Sequence, residues 1–246
     1  MSELDELKKQ VARSNQILGR LHMTREPNGH VSAHIPGTDL IVIKGRGRAE
    51  APLSYVEEED LCICDMDGKF VEGREGLAAP AEVFIHTEVL RARPELNSVI
   101  HIHPQNIVAF TIAEKPLLPI VGAYNPGALR LITDGLPVYP RSILINTRER
   151  GEELVKAMGT ARICLMRGHG ITSSGATVEE ATLTAIHLND LAELQFKAEL
   201  LGGAKPISDE DLEDFSSRTF ATPRPAADGP QPPSSEWRYY DRLLRD

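Results

Sequence analysis

The chain has 246 residues, 41% of them hydrophobic and 26% charged, and its formal charge at neutral pH is −9. That length can bury a sizeable core, and an acidic balance with no run of Lys or Arg excludes nucleic acid as the main partner. No apolar stretch reaches membrane-spanning length, and the opening MSELDELKKQ has the character of a charged helix rather than a signal peptide, so a cytoplasmic chain with no membrane partner is expected.

Leu4, Leu7, Val11, Ile17, Leu18 and Leu21 fall at helical spacing and predict a helix over 2–22, capped by Ser2. Gly29-His-Val-Ser-Ala-His-Ile-Pro36 alternates as a strand does. Leu40-Ile-Val-Ile43 reads as a short buried strand that runs into a glycine-spaced basic loop, Lys44-Gly-Arg-Gly-Arg48. Leu61-Cys-Ile-Cys64 is a further strand, followed by hairpin-turn chemistry at Asp65-Met-Asp-Gly68. Cys62 and Cys64 share one strand face, a poor geometry for a disulfide, and with Cys164 they read as small core residues of a reduced chain. A helix over 80–93 leads to the strand of His101, and a second helix spans 105–114. Strands near 118–121 and 136–139 flank a loop containing Tyr124-Asn-Pro-Gly127. Helix 149–158 precedes strand 162–166, and Thr177-Val-Glu-Glu180 caps a long helix stopped by Gly202-Gly203.

Residues 206–246 differ in character from residues 1–205. Pro223, Pro225, Pro230, Pro232 and Pro233, interspersed with Gly and Ser, cannot form a packed unit alone. Trp237, Tyr239 and Tyr240 follow, an aromatic cluster expected to dock on its own subunit or on a neighbour. Central strands flanked by helices indicate an α/β or α+β domain with a mostly antiparallel sheet.

The chemistry concentrates in four places. His101 and His103, in Val99-Ile-His-Ile-His-Pro104, point the same way from one strand and suit a shared divalent ion. His169 follows a second apolar strand in Gly168-His-Gly170, and Glu82 opens a helix. Three imidazoles and one carboxylate make a mononuclear site with room for substrate. A His-x-His pair is also often just a polar strand face, but Val99, Ile100 and Ile102 bury this strand, and buried imidazoles need partners. Lys44, Arg46 and Arg48 suit a carboxylate clamp as well as a solvated loop.

Gly29-His-Val-Ser32, Glu82 four residues before His86, His101-Ile-His103 and Gly168-His-Gly170 occur in an order and spacing that resembles the class II, metal-dependent aldolase/adducin superfamily. The resemblance covers roughly residues 5–200 and so makes 1–205 the catalytic domain. It implies a three-layer α/β/α domain around a nine-stranded, mostly antiparallel sheet, and a homotetramer with active sites at subunit interfaces. It also implies His101, His103 and His169 as metal ligands, Glu82 as a further ligand or acid/base, and Tyr124 as an acid donated by a neighbouring subunit. The metal is Mn, Zn, Co or Fe, all of which accept such donors.

The departures narrow the substrate. Members acting on sugar phosphates carry Gly-Asn at the first turn and Ser-Ser before the acidic residue; here Gly29-His30 and Pro80-Ala81 stand there, without hydroxyl donors for phosphate. The chain looks closest to the family's aromatic decarboxylases, which implies a carboxylated, hydroxylated aromatic substrate held by Lys44, Arg46 or Arg48. Glu82, Tyr124 or His30 would return the proton, His86 would support the site from behind or simply fill the core, and His187 would be structural. An aldolase for a non-phosphorylated hydroxy-keto acid, a ring-fission dienoate decarboxylase, a non-haem iron oxygenase and a non-enzymatic adducin-like module remain as alternatives.

Overall fold

Alternation along the strands decides which side chains reach the site. The computed structural model describes residues 2–133, 135–219 and 232–245. Among these residues ten strands form: β1 (His30–His34), β2 (Leu40–Lys44), β3 (Arg46–Gly47), β4 (Leu61–Asp65), β5 (Phe70–Glu72), β6 (Leu77–Ala78), β7 (Ser98–Ile102), β8 (Val138–Tyr139), β9 (Ile163–Met166) and β10 (Gly170–Gly175). Eight of them make the main sheet, in the order β5-β4-β2-β1-β7-β10-β9-β8, and β3 pairs with β6 in a small second sheet. The main sheet thus has one strand fewer than the expected nine among the described residues. It is mixed at one edge, where β8 runs parallel to β9. The basic loop at Lys44–Arg48 is partly the short strand β3, paired Arg46 with Ala78.

The helices are α1 (Glu3–Arg20), α2 (Val83–Ala92), α3 (Gln105–Ile112), α4 (Pro126–Thr133), α5 (Arg148–Met158), α6 (Val178–Leu200), α7 (Asp209–Thr219) and α8 (Ser235–Arg242). Ser2 and Asp5 cap α1 reciprocally, at 3.1 and 2.9 Å. Thr177 caps α6 by accepting from the Glu180 amide at 3.0 Å. No helix among the described residues is long and apolar enough to cross a membrane.

Period-two alternation sends Val31, Ala33, Val42, Ile100, Ile102 and Ile171 to one sheet face, where they pack in the core shared with α1, α3, α4 and α6. Ile41, Ile43, Cys62, Cys64, Val99, Cys164 and Met166 face the other way, onto α2 and α5. The three cysteines are free and buried, as expected for small core residues. Helices on both faces give the three layers.

Two local expectations fail. No strand forms at 118–121, because Pro116 and Pro119 bring no N–H to a ladder. The segment is held instead by Gln195, whose side chain accepts from the Leu118 amide at 2.8 Å and donates to the Pro116 carbonyl at 3.1 Å. Beyond Tyr124 the chain forms α4 rather than a loop; Pro126 stands in its first turn and Asn125 Oδ1 accepts from the Ala128 amide at 3.1 Å.

In the extension, Pro223, Pro225 and Pro230 lie outside the described residues. Trp237 docks on the chain's own core, 8% exposed in the same cluster as α1 and α6, while Tyr239 stays 59% exposed. Glu236 faces His187 on α6 at 3.5 Å, which gives His187 a structural partner.

Candidate metal and substrate site

Antiparallel neighbours place the start of one strand beside the end of the next, and the site is built on that edge. His30 opens β1 and pairs in register with His101 near the end of β7. Thr172 of β10 faces His101 from the other side. His169 sits in the turn between β9 and β10, where Gly168 adopts a positive φ of 62°. Gly170 leaves no room for a side chain, since a Cβ there would lie 2.2 Å from the Ile102 carbonyl and 2.8 Å from the His103 ring. The Gly-His-Gly sequence is therefore what lets β10 approach β7 closely enough to bring His169 in.

Glu82 is the residue before α2 but does not cap it. Its Oε1 accepts from the Ile145 amide at 3.1 Å, and its Oε2 lies 3.4 Å from His101 Nε2 and 3.6 Å from His169 Nε2. His101 Nε2 and His103 Nε2 face each other at 2.9 Å. One donor atom from each of Glu82, His101, His103 and His169 falls within 4.8 Å of the other three. Burial pushes the Glu82 carboxyl up, but the His101 and His169 rings outweigh it and hold the group well below the usual carboxylate range. Burial also lowers His103, to about 3, and so favours its neutral form.

The donor set fits a divalent cation. The Ile171 carbonyl, 3.0 Å from His101 Nδ1, can only accept, so in the neutral ring that binds a cation Nδ1 carries the proton and Nε2 is the coordinating atom. That nitrogen points at a second imidazole nitrogen and at a carboxylate oxygen, an arrangement of converging lone pairs that a cation satisfies.

Beside these groups is a cavity of about 250 Å³ lined by Asn28, His30, Lys44, Arg46, Ala81 and Leu144 together with Glu82, His103 and His169. The three expected substrate-binding residues have different surroundings. Lys44 is buried and already committed, its Nζ donating to the Pro27 carbonyl at 2.8 Å and to Glu50 Oε1 at 2.7 Å. Burial lowers its pKa, opposed by Glu50. Arg46 lines the cavity, is exposed, and its side chain has no hydrogen-bond or ion-pair partner among the described residues. Arg48 is exposed and does not line the cavity. Tyr124 is 79% exposed and also absent from the cavity wall, in a left-handed conformation at φ 53°.

Two further polar side chains lie behind His30: His86, which the sequence left between support of the site and core filling, and Ser32. His86, on α2, approaches His30 with its Nε2 2.7 Å from His30 Nδ1, and its Nδ1 is 2.7 Å from Ser32 Oγ. Burial lowers His86 to about 3, and burial likewise drives His30 well below its ordinary range, so both favour the neutral form. Ser32 was legible in the alternation, two residues after His30; that α2 would bring His86 across to it was not.

This edge-of-sheet centre, on this fold, belongs to a known class. Residues 9–196 match the model of the class II aldolase and adducin N-terminal domain, and the chain belongs to that family. Its relatives include a 3,4-dihydroxyphthalate decarboxylase from Arthrobacter keyseri, 39% identical over 76% of this chain and 77% of that protein. Another 3,4-dihydroxyphthalate decarboxylase, from Terrabacter sp., is 40% identical over 75% of this chain and 78% of the relative. The fold matches the crystal structure of an aldolase II superfamily protein from Pseudomonas syringae with a TM-score of 0.83, at 21% identity over 100% of this chain and 94% of the other.

Proposed function

We propose that the chain is a metal-dependent carboxy-lyase that removes one carboxylate from a hydroxylated aromatic dicarboxylate of the 3,4-dihydroxyphthalate type. The observation that carries this reading is an unpartnered arginine, Arg46, in the same cavity as the three-histidine, one-carboxylate cluster. His101, His103, His169 and Glu82 would hold a divalent ion, which supplies Lewis acidity toward a substrate oxygen.

The residues around it divide the remaining work. Pro80 and Ala81 offer no hydroxyl where a phosphate would need one, whereas Arg46 presents a planar fork that matches a carboxylate. Lys44, neutralised by Glu50, shapes the wall and keeps Asn28 and Gly29 beside β2 through its bond to Pro27. Loss of CO2 leaves an electron pair on the ring carbon, which must take up one proton. Within one subunit His30 stands at the cavity to take the proton of a substrate hydroxyl on Nε2 and return it to that carbon, with Glu82 beside it as the ionised carboxylate. Tyr124, turned outward, suits a role in a neighbour's cavity, which supports a homotetramer with interface sites. Residues 1–205 act as the catalytic domain in this reading, with 206–246 an extension anchored by Trp237.

The test is CO2 release from 3,4-dihydroxyphthalate and a panel of ortho-hydroxy aromatic dicarboxylates, after chelation and with Mn(II) restored, while O2 is monitored. Metal-dependent release without O2 uptake is expected. No release across the panel overturns the reading and moves the work to hydroxy-keto acids, as for an aldolase.

A further inference from the structure

Behind the cavity wall a file of polar groups leads away from His30 and takes no part in holding the cation. Ser32 follows His30 by two on β1, so both point to the α2 side, where His86 lies between them. His86 and Ser32 are 0% exposed and His30 8%, so the file is closed to solvent except at its cavity end. Its far end is fixed by a group of one polarity, the Val99 carbonyl, which accepts from Ser32 Oγ at 3.3 Å and also from His86.

The hydrogens can then be counted outward. With its own hydrogen given to the Val99 carbonyl, Ser32 Oγ accepts from His86 Nδ1–H at 2.7 Å. A neutral His86 has one N–H, so its Nε2 is bare and accepts from His30 Nδ1–H at 2.7 Å. His30 is left with Nε2 as the one ring nitrogen free for a ligand, and that nitrogen carries a lone pair.

We propose that His86 and Ser32 are positioning residues that fix His30 as its Nδ1–H tautomer, so that it meets a substrate hydroxyl in the cavity with an accepting Nε2. The inference rests on the cavity as the substrate site and deepens that reading: it selects a substrate with a hydroxyl aimed at His30, and disfavours a bare carboxylate or carbonyl oxygen there, which would face lone pair against lone pair. A neutral imidazole held by a neutral partner also lets His30 keep its ring orientation without placing charge in a buried spot.

The test uses full-length, zinc-loaded protein with 15N-labelled histidine. The ring-nitrogen shifts distinguish protonated from bare nitrogens and need no substrate, so failure of the decarboxylase assay and failure of this proposal are read separately. The wild type is expected to show a protonated Nδ1 and a bare Nε2 at His30, and Ser32→Ala to lose that single tautomer. In the metal-loaded enzyme His86→Phe is expected to lower kcat by about 10–100-fold, the size typical when a partner that orients an imidazole is lost, and to raise KM, with bound metal unchanged. His86→Gln, whose side-chain oxygen still accepts from His30 Nδ1–H, restores part of the loss. A protonated Nε2 on His30 in the wild type overturns the proposal, as does an unchanged kcat in folded, metal-loaded His86→Phe. Should His86→Phe not fold, the Ser32→Ala spectrum decides: an unaltered His30 tautomer overturns it.

Discussion

The two faces of the main sheet both bury polar groups, yet they treat them differently. On the α1/α6 face Ser14, Thr182 and Ser173 are closed by near neighbours: Ser14 and Thr182 share a hydrogen bond of 2.7 Å, Thr182 also donates to the Val178 carbonyl at 2.6 Å, and Ser173 donates to the Ala181 carbonyl at 2.8 Å. On the α2 face, Glu82, His101, His103 and His169 turn one potential ligand atom each toward one another. The difference separates structural from functional burial. A polar group satisfied locally stabilises packing, whereas converging lone pairs are stable only with a ligand among them.

The comparison breaks first at the metal. His101→Ala is expected to abolish bound metal and activity together, read by metal analysis and by CO2 release; full activity in this variant would show that the site is misassigned. Glu82→Gln should keep the fold and much of the metal while turnover falls by about 10²–10⁴-fold, the range for loss of a proton-transferring group. Acid stability sharpens the contrast further. His86 titrates near 6.5 when unfolded and near 3 when folded, so the unfolded chain binds the extra proton and stability is lost as pH falls from about 6.5 toward 3. The contribution is at most about 5 kcal/mol over that window, and urea unfolding of His86→Phe should show a flatter acid limb than the wild type.

Smaller effects follow at the cavity rim and on the opposite face. Arg46→Ala should raise KM for a carboxylated substrate by about 10–100-fold, the worth of a hydrogen-bonded charge pair, with little change for Arg48→Ala. Equal effects at both positions would mean that Arg48 reaches the ligand too. Ser14→Ala, across the sheet, is expected to cost about 1 kcal/mol in stability and nothing in kcat; a loss of turnover there would erase the distinction between the faces.

Much of the centre was legible because its spacing is local. Two histidines at a strand interval, a histidine between glycines and an acid at a helix start each carry a geometric meaning before any fold is known. The family resemblance then joined them. What could not be read was the choice among the basic residues: nothing local says that Lys44 meets Glu50, that Arg46 reaches the cavity or that Arg48 does not. The helix α4 was within reach, since Asn125 followed by Pro126 is a start signal, but Pro-Gly reads equally well as a turn. The absent strand at 118–121 shows the opposite error, an apolar run taken for a ladder that two prolines could not complete.

The arrangement of the sheet has a consequence for how the centre comes into being. His101 belongs to the end of β7 and His103 follows it directly, His169 lies in the turn before β10, and Glu82 on the approach to α2. These segments are distant in sequence and meet only when β7 is paired on one side with β1 and on the other with β10. A nascent chain in which β10 has not yet paired with β7 holds the histidines but no cage, so ion capture waits for the interior of the sheet to close. From then on the bound ion draws the equilibrium toward the native state, and midpoint temperature rises with free metal concentration.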